Sequence, residues 1–493
     1  MSQDTTVLPE YTPQPERRTS GVVAVVATVA AVVLVAGGGV AAWQFLLAGG
    51  SRPAEVLPAS TFALATLDLD PSGGQKLEAI RTLRKFPSVR EDTGLQDGSD
   101  PMKAFFEEIQ EHDSCTGLDY ERDVEPWLGS RAAVGGVLMG DDKPAPVAAL
   151  QVKDAEAARS GLEKLRRCAE AEKDDFGWSM AEGHVVLSDT TGHAEAIVAE
   201  GAEKPLSEDA GFQRWTEEVG ADAVLSVYVA PEAAEIAAEA TGEEVEGDAL
   251  TRLLEDFDGA AAALRFADGG IELSFAGGGA KAVEGAENVS GHVGMLPADT
   301  ALVLAASVPE GVFDQLAEDE SATDFLAGML GLDLPQDLED LLGESVSLSV
   351  GGDAPESLEQ LEAFDSVPVG ALVHGDEDEV RAVVDKLTGA GEVPVVVESG
   401  EGRVAVASTR DYARQLVEKG ALTDDPGFRD AVPDADKAEF VFYVDVDSEW
   451  RQLLDQALED KETSANLDVV RGLGVSSWTD GDASHGLVRL SLK

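Results

Sequence analysis

From Gly21 to Leu47 the chain carries no charged side chain, and its polar interruptions are Thr28 and Gln44, the latter beside Trp43. At about 1.5 Å per residue the uninterrupted part covers roughly 35 Å, against a bilayer hydrocarbon core of about 30 Å. The pattern predicts one transmembrane helix with boundaries at Gly21 and Leu47, slightly tilted to absorb the excess. A cleavable signal peptide is the competing reading, because Arg17 and Arg18 precede the run as a charged leader would. The apolar stretch is longer than the roughly 7–15 residues of such a signal, which favours an uncleaved anchor. Arg17 and Arg18 on one side, against Arg52 alone on the other, place the N-terminus in the cytoplasm and the remainder outside the cell membrane. Residues 1–20 then form a disordered cytoplasmic tail.

Beyond this run the periodicity changes. Short valine-rich stretches such as Val224–Val229 read as strands, and Ala155–Cys168 repeats its apolar positions with the 3.6-residue period of a helix. Stretches 131–138 with 146–152, and 259–266 with 270–277, follow one another without a helix between them. Such pairs predict hairpins, hence an α+β fold with mainly antiparallel sheets rather than a doubly wound parallel one.

Ordered anchors then recur along the chain. Leu57-Pro58-Ala59-Ser60-Thr61 returns as Leu296-Pro297-Ala298-Asp299-Thr300, and Trp127-Leu128-Gly129 as Leu341-Leu342-Gly343. Pro146-Val147-Ala148-Ala149-Leu150 returns as Pro368-Val369-Gly370-Ala371-Leu372. Asp154 and Asp376 stand at matching helix starts, where a short carboxylate accepts from free backbone N–H groups. Glu182-Gly183 matches Glu401-Gly402, Gly211-Phe212 matches Gly427-Phe428, and Tyr228 matches Tyr443. Gly201 and Gly420 sit where left-handed helix C-caps are expected, and the closing strands begin at Gly270 and Gly486. The reading is an internal duplication: ectodomain copy 1 over 55–276, a linker over 277–293 opened by three glycines, and copy 2 over 294–493. A cleft between the copies would be a natural place for a small ligand or an envelope protein.

Charge narrows the partners. Setting aside Asp4, Glu10, Glu16, Arg17 and Arg18, the 95 acidic and 36 basic residues of the chain leave 92 and 34 for the remainder, a net charge of −58. Such a surface repels phosphate backbones and anionic head groups, so nucleic acid is excluded as a leading partner. The two cysteines, Cys115 and Cys168, lie on the side expected to be oxidising and could form one disulfide; two buried thiols is the alternative.

No chemistry emerges from the motifs. A nucleophile elbow, a phosphate-binding glycine loop and a paired-histidine zinc motif are all missing from the sequence. Histidines 112, 184, 193, 292, 374 and 485 are dispersed, and none is kept between the matched positions. Asp68-Leu69-Asp70-Pro71-Ser72-Gly73 opens like a calcium loop, but Ala79 stands where the twelfth-position glutamate is required. No catalytic residue, metal ligand or cofactor is therefore assigned.

Leu67-Asp68-Leu69-Asp70-Pro71-Ser72-Gly73, running through Gln75-Lys76 to Arg84-Lys85-Phe86-Pro87, resembles the start of a family of membrane-anchored proteins of high-GC Gram-positive bacteria (actinobacteria) known only as a domain of unknown function. Gly117-Leu118-Asp119-Tyr120, Asp123-Val124 and Pro126-Trp127-Leu128-Gly129 continue the likeness. The resemblance implies an N-terminal anchor and supplies no catalytic residues. The expectation is a single-pass extracytoplasmic protein that binds, senses or scaffolds in the cell envelope without catalysis. An extracytoplasmic hydrolase with an unrecognised site is the alternative.

Overall fold

The computed structural model describes residues 52–68, 73–92, 119–140, 143–168, 177–220, 222–241, 256–279, 286–309, 332–355, 357, 360–361, 367–389, 395–400, 402–418, 420–458 and 460–493. The tail, the run from Gly21 to Leu47 and Cys115 lie outside them, as does the side chain of Cys168. Among the described residues no helix is long and apolar enough to cross a membrane.

The first eight strands are β1 (Thr61–Asp68), β2 (Leu128–Leu138), β3 (Pro144–Val152), β4 (Gly177–Ala181), β5 (His184–Ser188), β6 (Leu225–Val229), β7 (Ala260–Ala267) and β8 (Gly270–Gly278). The next eight are β9 (Leu302–Ser307), β10 (Ser345–Val350), β11 (Val369–His374), β12 (Val396–Gly400), β13 (Arg403–Ala407), β14 (Phe440–Asp445), β15 (Val470–Asp480) and β16 (Ala483–Leu492). The helices used below are α1 (Gly73–Leu83), α2 (Ala155–Cys168), α3 (Thr191–Glu203), α4 (Ala210–Val219), α5 (Glu377–Gly389), α6 (Arg410–Val417), α7 (Pro426–Ala431) and α8 (Lys461–Leu467).

Period-two alternation becomes strand because successive side chains of an extended chain face opposite ways. In β3, Ala145, Val147, Ala149 and Gln151 are buried while the residues between them are partly exposed. All sixteen strands join one sheet, in the order β12-β13-β11-β10-β9-β14-β15-β16-β8-β7-β6-β1-β2-β3-β5-β4, and each ladder is antiparallel. Open sheets rarely exceed about ten strands. This one is two eight-stranded halves joined at β8 and β16, and outward from that seam the halves share one strand order.

The ladders correct two of the sequence matches. Tyr228 pairs with Ala261 and Ala261 with Ala276, while Tyr443 pairs with Gly474 and Gly474 with Arg489. Ala276 thus corresponds to Arg489 and Gly270 to Ala483, three residues before Gly486. Likewise Leu64 pairs with Gly135 and Gly135 with Val147, whereas Val303 pairs with Ser349 and Ser349 with Gly370. Val147 therefore corresponds to Gly370, one residue beyond its letter match. A one-residue slip in a strand exchanges its faces, and only the shifted register sets buried Val147 and Ala149 against buried Gly370 and Leu372.

At the seam, Ser274 faces Leu487, and by the same ladders these two positions are equivalent. Ile271 pairs with Leu490 and Gly277 with Ser484, again reciprocally, so a local twofold passes through the Ser274–Leu487 pair. The stretch expected to be a linker is folded at both ends. Gly277 and Gly278 complete β8, and Val289, His292 and Val293 are buried with the second half.

The main core of each half lies on one face of the sheet. In the first half α3 and α4 cover Leu64, Val137, Ala149, Val186 and Tyr228 with Ile197 and Trp215. In the second, α6 and α7 cover Val303, Ala305, Leu372 and Tyr443 with Leu416 and Phe428. Gly201 and Gly420 are not left-handed caps, since neither has a positive φ. Each is needed because the Leu-Pro segment crosses directly over it: a Cβ would lie 2.3 Å from the Val56 carbonyl oxygen at Gly201, and 2.0 Å from that of Met295 at Gly420. Gly183 and Gly402 do turn with positive φ, 70° and 77°, in matching hairpins.

Candidate functional site

The polar groups that recur in both halves hold backbone and helices in place. Asp154 accepts from the N–H groups of Glu156 and Ala157, and Asp376 from those of Asp378 and Glu379. Asp209 caps Phe212 and Asp425 caps Phe428, each at 2.9 Å. Phe212 meets Tyr228 edge-on with ring centroids 5.1 Å apart, and Phe428 meets Tyr443 at the same distance. Burial, aided by neighbouring carboxylates, raises both phenols well above the ordinary tyrosine range, so neither ionises near neutrality.

A recurring ion pair escaped the sequence reading. Asp123 accepts from Lys164 Nζ at 2.6 Å, from both Nε and Nη2 of Arg122, and from the Asp119 N–H. Asp337 accepts from Lys386 Nζ at 2.7 Å and from the Asp333 N–H. Hydrogen bonds from Arg122 and Lys164 hold the Asp123 carboxyl far below its usual range, and Lys386 lowers that of Asp337. Each pair ties the short helical segment before β2 or β10, Tyr120–Val124 or Gln336–Leu342, to the helix after β3 or β11. The signal was present: both halves carry Asp four residues after Asp, and Lys ten residues after the capping aspartate.

The histidines stay apart, save one pair. His292 is buried, donates Nε2–H to the Leu372 carbonyl at 2.6 Å, and accepts at Nδ1 from Ser345 Oγ at 3.2 Å. The tautomer follows from the carbonyl partner, which can only accept. The His374 ring lies 5.5 Å away. Burial pushes His292 down to about 4. His184 is buried in β5 and likewise lowered by burial. His193 contacts Asp189, and His485 stacks on Trp478. His112 lies outside the described residues.

Trp127 and Trp215 are buried and donate to backbone carbonyls, and Trp178 and Trp478 sit beneath Arg166 and Lys437. Asp68, in the calcium-like stretch, pairs with Arg131 at 2.8 Å. Among the described residues no group of three or more His, Cys, Asp or Glu is placed to hold a metal ion. A shallow cleft of about 330 Å³, lined by Ser60, Phe62, Met139, Glu200 and Glu232 among others, lies within the first half. The seam between halves is instead closed by strand pairing, by the Arg489–Glu272 pair and by Arg214 reaching Asp482 at 2.9 Å.

One exchange of charge links the halves. Arg214 donates to Asp258 at 2.8 Å, and at the corresponding positions Asp430 accepts from Arg471 at 2.7 Å. The same contact exists twice with its signs reversed.

The molecule is thus an α+β protein built on one broad antiparallel sheet. Residues 27–178 match the model of a family described as a protein of unknown function (DUF3352). No curated protein matches the chain. Among solved structures, crystal form III of TP0453 aligns with a TM-score of 0.22 and 7% identity, over 75% of this chain and 98% of that one. Crystal form I of TP0453 aligns with a TM-score of 0.21 and 8% identity, over 48% of this chain and 81% of that one. Likeness at that level says nothing about the fold or activity of this chain.

Proposed function

We propose that the chain is a single-pass, membrane-anchored extracytoplasmic protein of the cell envelope, whose two halves arose by duplication and act in binding or scaffolding without catalysis. The observation that carries the non-catalytic reading is the nature of what recurs. Asp123 and Asp337 are held by lysines inside the fold, Asp209 and Asp425 cap helices, and Tyr228 and Tyr443 pack edge-on against Phe212 and Phe428. The anchor rests on the uncharged run from Gly21 to Leu47, and the family match begins inside that run. Epitope tags at both ends, probed by protease on intact cells, test the topology: the C-terminal tag is expected to be cleaved and the N-terminal tag protected. A protected C-terminal tag sinks the reading.

Duplication is supported by the shared strand order and by the reversed pair at Arg214–Asp258 and Asp430–Arg471. Arg471→Asp alone is expected to cost about 1 kcal/mol, the scale of a partly exposed ion pair replaced by repulsion. The double variant D430R/R471D, which writes the first-half pair into the second half, should recover most of that loss in urea unfolding. A double variant no more stable than R471D would mean that the two contacts are not interchangeable.

A further inference from the structure

The sheet carries an uninterrupted apolar row, one residue from each of its sixteen strands. Following cross-strand partners, it runs Met180, Val185, Leu150, Ala132, Leu67, Leu225, Leu264 and Leu273 to the seam. It continues through Val488, Val475, Phe442, Leu304, Leu348, Ala371, Val406 and Val397 to the far edge. The neighbouring row, through Phe275, Gly486 and Phe440, has no charged member either. This face lies opposite the two main cores, in a chain of which 27% is charged.

Among the described residues, helices cover its flanks and one margin. α1 packs near Leu67 and Leu264, α2 over Leu150 and Val185, and α5 over Val373 and Val404. Among the described residues, the row from β8 to β10 belongs to no packed cluster: Leu273, Val488, Val475, Phe442, Leu304 and Leu348. Leu348 is 50% exposed, Leu273 37%, and the adjoining Phe275 41%. At about 4.8 Å per strand these six strands make a floor roughly 24 Å long.

We propose that this floor holds the acyl tails of a neutral long-chain lipid. Its backbone groups are spent in the ladders and its side chains offer no charge, so hydrocarbon gains by burial there and forfeits no hydrogen bond. A protein partner is oriented by the polar rim and by the arginine or tyrosine anchors of its interface, and neither row of this floor carries a charged side chain to meet them. A second copy brings another net charge of −59, and an anionic head group meets the same repulsion. The proposal deepens the binding role above and rests on that reading, but not on the topology.

The test uses the full chain reconstituted in phosphatidylcholine vesicles doped with a diacylglycerol carrying a diazirine in its tail, irradiated and mapped by peptide mass spectrometry. Adducts are expected on β8, β10, β14 and β15. They should fall at least about tenfold in L348Q/L273Q, which removes two exposed apolar side chains, while the thermal midpoint stays unchanged. Adducts confined to residues 21–47, or undiminished in the double variant, overturn the proposal. So does a wild-type dimer in sedimentation that the double variant dissociates, which assigns the face to a second copy. Inverted topology would show in the protease assay and leave this result intact.

Discussion

Gly201→Ala is expected to destabilise the protein by about 3 kcal/mol or more, although it adds a single methyl group to a helix that should welcome alanine. The added carbon would sit 2.3 Å from the Val56 carbonyl oxygen and 2.9 Å from its carbon, both backbone atoms of the segment that leads into β1. That segment is itself pinned, with Leu57 fully buried and its carbonyl accepting from the Leu206 N–H. Backbone cannot rotate away as a side chain would. At Gly192, in the same helix, an added Cβ would have nothing within 4 Å, so Gly192→Ala should be neutral or stabilise by up to about 1 kcal/mol. Gly420→Ala repeats the experiment in the second half, with the Met295 and Leu296 carbonyl oxygens 2.0 and 2.1 Å from the new carbon. Urea unfolding of the three variants reads the outcome, and equal midpoints for G192A and G201A would refute the close-approach explanation.

Acid should begin to destabilise the protein at a pH above that at which its carboxylates titrate, and His292 is one reason. Its folded value of about 4 lies below the ordinary 6.5 because burial opposes the charged ring. Between those values the unfolded chain binds the proton more readily, so stability contributed by neutral His292 is complete above about 6.5 and drains as pH falls towards 4. The size is about 3 kcal/mol. His184, also lowered by burial, adds in the same direction, whereas Asp445, raised by burial, works against it. Falling net charge also relieves self-repulsion, so the measurement belongs in high salt, where that contribution is screened. Urea midpoints compared at pH 7 and 4.5 should show the wild type losing more stability than His292→Gln, which keeps a donor for the Leu372 carbonyl. Parallel losses in the two proteins would count against His292 as the source.

Local rules carried much of the fold into view. The capping aspartates at 154 and 376, the hairpin glycines at 183 and 402, and the tyrosine strands at 228 and 443 were legible because each depends on neighbours a few residues away. The join of β8 to β16 was not, because strand edges pair through backbone groups that every residue possesses. The two copies were read one after the other, and the strand pairing that joins them into one sheet was not. Register failed for a related reason: the repeated Pro-Val and Ala-Leu letters at 146 and 368 outweighed the burial alternation that sets the faces. Gly201 and Gly420 were recognised as special but explained wrongly, since a glycine required by a distant crossing segment looks, in sequence, like one required by φ. The Asp123–Lys164 and Asp337–Lys386 pairs stayed hidden among the chain's many carboxylates, although their spacings match in both halves. The apolar floor could be assembled only once the ladders set one residue of every strand in line.

The placement of β16 bears on how the protein is made. It is the latest of the sixteen strands along the chain, yet it stands in the middle of the sheet, between β15 and β8. Until it emerges, the first half waits with β8 as an open edge and the second with β15, each able to recruit a stray strand. A protein synthesised from one end thus closes this sheet at its centre, and only a chain read through Leu492 can unite its two wings.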